Sequence, residues 1–487
     1  MKNNDIINDY IKKSNSLKLN YSDIKDRINI DNNSEYRIIS NNQRNSKLFI
    51  KRLFSKSKLF ASIAFIFMIS FGIIFGTLYN SKIDVFEDGG YTNNAKLLNE
   101  ISTKYVNYED DSYEEFITKY NNFSSKISSA FLKNNSIVSP YSIFSNLVLM
   151  AVISKNNTKD EILKALDMDE ELIIKNYSHF YSKHNFGNND SLSKEYTYNS
   201  MWIQNRLPIE ESTAKTLANQ YYCNAYYINF NNINLANETI KLFIKNHTAG
   251  LINRDFKFSN NTNISLINTT YLKDVWGEGE LIKSSGYFYK DNSYDYIGFN
   301  NTKYILGKIA KETNYSHFYA TTNKYKICFI LPNENLNIRD IFNEELINNV
   351  NGYLYDKYDD EYVYYTRCSF PSFELDSDLV DIKSLLENSF GIKSVFDENK
   401  ADLTNLLKDD GYYISEDKHE SVLKMNERGI EGASVAKSNI TISSPTSTGG
   451  GRKEISATLL INRPFGIILS NLDDEIIYTG IVENVLK

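Results

Sequence analysis

Cysteine is scarce in this chain. Its 487 residues include three, Cys223, Cys328 and Cys368. They lie far apart, with no CxxC pair, which argues against a zinc site. An odd number leaves at least one thiol free, so disulfides are not the main staple, and a free cysteine behaves as a small hydrophobe. Histidine is nearly as rare, with five residues, and this limits metal and acid–base chemistry. The HExxH, GxSxG and Walker signatures are missing. Positive charge is short as well: 54 Lys and Arg stand against 61 Asp and Glu, a net charge of −7. No strongly basic domain for nucleic acid is suggested. What remains, 41% hydrophobic and 24% charged, is an ordinary globular composition, long enough for one large core or roughly two to four smaller ones.

One long apolar run stands out. Leu59 to Tyr79 carries no charge and is mostly Phe, Ile, Ala and Leu. As a helix it would span about 31 Å, matching the ~30 Å hydrocarbon core of a bilayer. Gly72 and Gly76 form a GxxxG spacing, by itself a weak dimerisation signal. A cleaved signal peptide would start nearer the N-terminus and have a shorter apolar core, so an uncleaved anchor is expected. Arg44, Lys47, Lys51, Arg52, Lys56 and Lys58 precede it; Lys82 and Lys96 follow, with Asp84, Glu87 and Asp88 between them. That bias places the N-terminus in the cytoplasm and the C-terminal part outside. The expected organisation is a polar, disordered cytoplasmic tail (1–58), a transmembrane helix (59–79), a stalk (80–104) and one α+β domain (105–487).

Local signals place several elements in that domain. Ser139-Pro140 fits a helix start, with Ser as cap and Pro in the first turn. Ile143, Leu147, Met150, Ala151 and Ser154 follow at helical spacing. Thr158 to Glu161 reads as a capping box for the next helix. Leu266–Leu272 alternates as a strand and leads to Trp276. Phe465–Leu469 and Glu475–Val482 read as a hairpin across Asn471–Asp474.

Five stretches together resemble one known family. They are NSIVSPYSIFSNLVLMAVISKNNTKDEI from Asn135, LINTTYLKDVW ending at Trp276, FPSFELDSDLVDIKSLLENSFGIKSVFDENKADLTNL from Phe370, HESVLKMNERGIEGASVA from His419, and INRPFGIIL. Their order and content resemble the serpins across roughly residues 105–487. The resemblance implies a large central mixed sheet, two further sheets, about nine helices and an exposed reactive-centre loop. It implies that Ser139, Ser142, Asn268 and His419 form a polar cluster, the shutter, beneath the place where the central sheet opens. Trp276 would mark the breach, where loop insertion begins. It implies no cofactor, no metal and no catalytic residue of its own.

Glu427-Arg428-Gly429-Ile430-Glu431-Gly432-Ala433-Ser434-Val435-Ala436 is similar to the family's loop hinge. A loop that becomes a central strand must present one uncharged face to the core. Alternate residues from Ile430 are Gly432, Ser434, Ala436, Ser438, Ile440 and Ile442, none charged; Glu431 and Lys437 fall on the other face. Pro445 cannot donate to a central ladder, so insertion can run to about Ser443 or Ser444. A plain amphipathic edge strand is the rival account. About 14 inserted residues would contribute on the order of 10 kcal/mol of ladder hydrogen bonds. The resemblance thus implies a suicide-substrate inhibitor of serine or cysteine proteases, monomeric in its serpin domain. It would attack no substrate itself, and its partner would be the target protease in a covalent complex. The alternative is a non-inhibitory serpin acting as a membrane-anchored binding or structural protein.

Some residues depart from the pattern. Counting from the hinge puts the scissile bond at Ser443-Ser444; counting back from Pro464 puts it near Gly450 to Lys453, where Arg452 and Lys453 would suit a trypsin-like target. Ile430 replaces the usual Thr or Ser, Gly432 and Ser434 interrupt the alanine run, and Asp274 and Val275 stand where a glycine is common. The Tyr-rich stretch Tyr353–Tyr365 has no assigned role.

Overall fold

The computed structural model describes residues 95–99, 106, 110–132, 135–186, 192–259, 261–290, 293–415, 417–430 and 452–486. These lie in one compact unit, residues 86–487. Nine α-helical segments occur among them. The six longer ones are α1 (Tyr113–Phe131), α2 (Pro140–Ile153), α3 (Asn156–Leu166), α4 (Glu170–Phe186), α5 (Glu211–Tyr221) and α6 (Ile233–His247).

Twenty strands are numbered along the chain. The first ten are β1 (Ala95–Asn99), β2 (Ser136–Val138), β3 (Lys194–Gln204), β4 (Cys223–Ile228), β5 (Ile264–Val275), β6 (Ile282–Lys290), β7 (Ser293–Asn301), β8 (Ile305–Leu306), β9 (Ala310–Lys311) and β10 (Tyr315–Thr321). Next come β11 (Tyr325–Pro332), β12 (Tyr362–Pro371), β13 (Phe373–Asp376), β14 (Val380–Asp381), β15 (Lys418–His419), β16 (Val422–Asn426), β17 (Gly429–Ile430), β18 (Lys453–Leu460), β19 (Phe465–Asn471) and β20 (Ile476–Val482). They form a seven-stranded central sheet in the order β1-β4-β3-β5-β17-β16-β13. A second sheet runs β2-β20-β19-β11-β10-β9 and a third β18-β12-β7-β6, with β8 on β12; β14 and β15 pair separately.

The helix start at Ser139 forms as its sequence predicts. Ser139 caps α2, its hydroxyl accepting from the Ser142 N–H, with Pro140 in the first turn. The one-sided apolar face does not: thirteen of the fourteen α2 residues are buried, so this helix lies inside the molecule rather than on it. The capping box is also overturned. α3 starts at Asn156 with Lys155 as its cap, three residues before the expected cap Thr158, and that cap makes no side-chain bond. Thr158 Oγ1 instead accepts from the Asp402 N–H, and Glu161 accepts from the Lys393 and Ser394 N–H groups. Both side chains hold a distant loop, and that tertiary use outcompetes the local cap. The C-terminal hairpin forms as β19 and β20, every residue buried.

Two expectations on domain limits fare differently. Within the expected stalk (80–104), the described residues Ala95–Asn99 form β1, which pairs antiparallel with β4 at the edge of the central sheet. Ala95 and Leu97 pack on an apolar cluster around Trp202 and Phe243, an alternation obscured by the polar residues around it. The tail (1–58) and the apolar segment (59–79) lie outside the described residues; among those, no helix is long and apolar enough to cross a membrane.

The core contains one buried ionic knot. Glu475, at the start of β20, lies 2.9 Å from His184 Nε2 and 2.9 Å from Lys183 Nζ, while His184 Nδ1 lies 2.9 Å from Glu195. Tyr113 donates its hydroxyl to the same Glu475 carboxylate. Burial opposes charge on Glu475, yet the bonds from His184 and Lys183 hold its carboxyl down at about 2. Burial likewise opposes charge on His184, and the two glutamates lift it to about 9. The knot is therefore charged across the physiological range and ties α4 and β3 to β20. Replacing one partner of such a pair strands the other, so Glu475→Leu is expected to destabilise the fold by about 3–5 kcal/mol, read as a lower denaturation midpoint.

Candidate functional site

The central sheet is closed at one end and open at the other. β16 turns back through Glu427 and Arg428 into β17, only two residues long. Gly429 pairs with Val275 and Ile430 with Asp274 on β5; on the other side they pair with Asn426 and Met425. Beyond this wedge no described strand joins β5 to β16. The rest of β5 pairs only with β3, and Val422–Lys424 pair only with β13. Among the described residues the result is a cleft between Ile264–Thr270 and Lys418–Val422. Its front is closed by α6 and the segment after it, through Ile244, Thr248 and Phe256. Its back is closed by the start of α2. Along β5, Ser265–Asn268 are all half-exposed where a central strand would be fully covered.

The wedge is held by close contacts. Gly429 has φ +153°, and a Cβ there would lie 2.0 Å from the Asp274 carbonyl oxygen, so only glycine fits. Trp276 is 1% exposed; its indole N–H donates to the Asn426 carbonyl at 2.9 Å and its ring packs on Phe370. Trp276 therefore clasps the turn from which β17 emerges. Glu427 pairs with Lys283 at 2.9 Å, and its carbonyl accepts from the Leu281 N–H. Asp274, the departure from the family's glycine, has a structural use. Its carboxylate accepts from the Ser193 hydroxyl, the Val275 N–H and the Lys324 N–H. It fixes the end of β5 to the β10–β11 turn, and burial pushes its carboxyl above the usual range.

At the back of the cleft the four shutter residues meet. Ser142 Oγ donates to Asn268 Oδ1 at 2.6 Å, and Asn268 Nδ2 donates to Asn199 Oδ1 at 2.6 Å. On the other side the Ser139 N–H donates to His419 Nε2 at 3.2 Å, with Ser421 Oγ 2.9 Å from the same nitrogen. The start of α2 thus joins the two separated strands through side chains where no ladder does. Asn199, Ser421 and Asp274 were not singled out as members of these networks. The partners of Asn199 and Asp274 lie mostly far off in sequence, and Ser421, two residues from His419, reads as an ordinary strand-edge serine. Glu420, also on the cleft wall, is raised to about 7 by burial, against the pull of Arg254 at 3.4 Å.

The remaining sequence-derived positions divide in two. Glu431, Gly432, Ala433, Ser434, Val435, Ala436, Ser443 and Ser444 lie outside the described residues. Arg452 and Lys453 are described and engaged. Lys453 opens β18, donates its N–H to the Glu361 carbonyl, and pairs with the Glu361 carboxylate at 2.9 Å. Its Nζ lies over Tyr362 and the Arg452 guanidinium over Tyr358, 5.6 Å from the ring centre. Part of the Tyr-rich stretch thereby gains a role as the seat of β18. The three cysteines are buried and free, and among the described residues no cluster could hold a metal.

A backbone N–H can only donate, so His419 Nε2 must carry a lone pair and the ring must be neutral. Burial lowers its pKa to about 4. An unfolded histidine takes its proton near 6.5, so between pH 6.5 and 4 the unfolded chain binds a proton that the folded chain refuses. The stability conferred by the neutral ring is complete above 6.5 and declines as pH falls through that window. The His419 ring resonance is expected to titrate near 4. The stability advantage of the native chain over His419→Gln should shrink by up to about 3 kcal/mol from pH 6.5 to 4, measured by denaturation at a series of pH values.

Comparison with known proteins gives one family. Residues 118–485 match the family described as Serpin (serine protease inhibitor). Among similar proteins are Serpin A3-8 of Bos taurus, 27% identical over 72% of this chain and 84% of its own length. A serine protease inhibitor of Cyanea capillata is 25% identical over 72% and 93%. The solved native structure of the thermophilic serpin tengpin superposes with a TM-score of 0.66 at 22% identity, covering 80% of this chain and all of its own. Thyroxine-binding globulin in complex with thyroxine does so with 0.63 at 19%, covering 77% of this chain and all of its own. With that match over most of its length, and a fold shared with those structures, the chain belongs to the serpin family.

Proposed function

We propose that this serpin inhibits serine or cysteine endopeptidases by trapping the acyl-enzyme through insertion of its cleaved loop. The observation that carries the reading is the central sheet itself, entered between β5 and β16 by Gly429 and Ile430, with no further strand between those two among the described residues. Strand edges inside a sheet carry backbone donors and acceptors that a new strand can satisfy.

The existing pairs set a register for the rest of the loop. Ile430 opposes Asp274 and Met425. Continued antiparallel, the same register brings Ala436 between Asn268 and His419, the two sides of the shutter. It brings Ile440 opposite Ile264, where β5 begins. Ten further residues would thus fill the cleft, about 33 Å of strand, adding on the order of 10 kcal/mol of ladder bonds. Pro445 falls beyond the end of β5. A protease that has attacked Ser443-Ser444 would be carried with the inserting segment before water releases the acyl bond. That bond is preferred over Arg452-Lys453 because cleavage there would require the start of β18 to leave Glu361, Tyr358 and Tyr362. The names of the inhibitory relatives support the same reading.

The apolar run 59–79 and its flanking charges support a further part of the proposal, a single membrane anchor with the serpin domain outside the cell. Carbonate-resistant membrane association lost on deleting 59–79, with the domain open to protease added outside intact cells, is the expected result.

Mixing the chain with a panel of trypsin, chymotrypsin, elastase, subtilisin and papain is expected to yield at least one SDS-stable complex, and the cleaved chain should melt well above the intact one. Clean cleavage with neither effect would favour the non-inhibitory alternative, a binding role of the kind that thyroxine-binding globulin's name describes for that protein. Ala436→Arg would place a buried charge at the shutter. It should leave loop cleavage intact yet abolish trapping, read as a shift from complex to cleaved product on a denaturing gel.

A further inference from the structure

The hairpin of β6 and β7 presents four tyrosines to solvent on one face. Tyr287 and Tyr289 are 49% exposed, and Tyr294 and Tyr296 are 66% exposed. Tyr287 stands directly opposite Tyr296 and Tyr289 opposite Tyr294. Ring centroids lie 5.2 Å apart for Tyr287–Tyr296 and 5.3 Å apart for Tyr287–Tyr294, so the rings form one raised patch. Phe288 and Ile297 point the other way and are buried, so the core is filled without the tyrosines.

The next row on the same face has the opposite shape. Ser285 stands opposite Gly298, and both are exposed. Nothing inside the chain calls for that glycine. Its φ lies outside the left-handed range, and a Cβ there would meet only the Ser284 carbonyl oxygen, at 3.9 Å. Glycine inside a strand weakens it, and it often marks the close approach of another surface.

Shape, charge and area together indicate what approaches. Ridge and groove lie two residues apart along the strands, about 7 Å. A two-fold axis running across the strands between them lays the ridge of each copy in the groove of the other. Lys283, on the same face, is already paired with Glu427, so two chains of net charge −7 meet there through a neutral surface. With about 200 Å² to a tyrosine, the exposed rings leave roughly 450 Å² bare on each copy. Two such faces pressed together bury roughly 1,000 Å², the lower bound for a specific contact between proteins.

We propose that this face of the β6–β7 hairpin is a self-association surface. Two copies of the chain pair as an isologous dimer, with Tyr287 and Tyr296 of each seated on Ser285 and Gly298 of the other. The inference does not depend on the inhibitory reading. Tyrosine rings order few torsions on binding. With no unpaired charge in the contact, the association should persist in about 0.5 M salt.

The test is sedimentation velocity on the full chain in mild detergent. At about 50 μM the unsubstituted chain should sediment as a dimer, as suits a contact of this modest area. Gly298→Val fills the groove from the outer face with a residue type that favours strands. It should keep the melting temperature and weaken dimerisation by about tenfold or more. Tyr287→Ser/Tyr296→Ser should weaken it similarly, while Leu354→Ser, at an 89% exposed position, should leave the dimer intact. An unsubstituted chain that stays monomeric at that concentration overturns the proposal. If that monomer is instead held on insoluble polysaccharide through Tyr287 and Tyr296, the face belongs to stacked sugar rings. A dimer that survives both the Gly298 and the paired Tyr substitutions also overturns it, and places self-association elsewhere, such as the apolar run 59–79 with its GxxxG spacing.

Discussion

Everything distinctive about this fold follows from an unmet pairing. β5 and β16 are strands of one sheet, yet beyond Gly429 and Ile430 nothing described lies between them. Backbone groups inside a sheet ordinarily pair with a neighbour. Here the interruption is kept by layers on both sides, with α6 across the front and α2 behind. The side-chain bonds from Asn268, Ser142, Ser139 and His419 span the space that a ladder would occupy.

The site is assembled from elements that are rigid for separate reasons. α2 is buried on nearly every side, so its first turn cannot move without disturbing the core. Asp274 locks the end of β5, and Trp276 clasps the turn into β17. The ionic knot of His184, Glu195 and Glu475 fastens β3, the partner of β5, to β20. With these fixed, the strand that has room to adjust is β16, together with the residues before it that carry His419 and Glu420.

Much of this was legible in sequence, for identifiable reasons. The start of α2, strand β5, the C-terminal hairpin and the meeting of the shutter residues depend on local spacing or on order along the chain, and both are visible in one dimension. The capping box at Thr158 misled because its side chains serve contacts 232 or more residues away. β1 was mistaken for a stalk because polar neighbours hide the alternation of Ala95 and Leu97. The one-sided face of α2 failed because a helix inside a large fold has no solvent side. Asn199 carried no signal, and Asp274 stood out only as a departure from the family pattern, since a polar residue in a strand reads as surface until its partners are known.

The free, buried thiols bear on how far the halves of the molecule can part. Cys223, Cys328 and Cys368 lie on β4, β11 and β12, and burial raises all three above the ordinary thiol range, which keeps them protonated and unreactive. No covalent cross-link therefore bridges the cleft, and oxidants have no ready thiolate with which to make one. Whether the surroundings are reducing or oxidising, the two walls of the cleft are therefore held by non-covalent contacts alone.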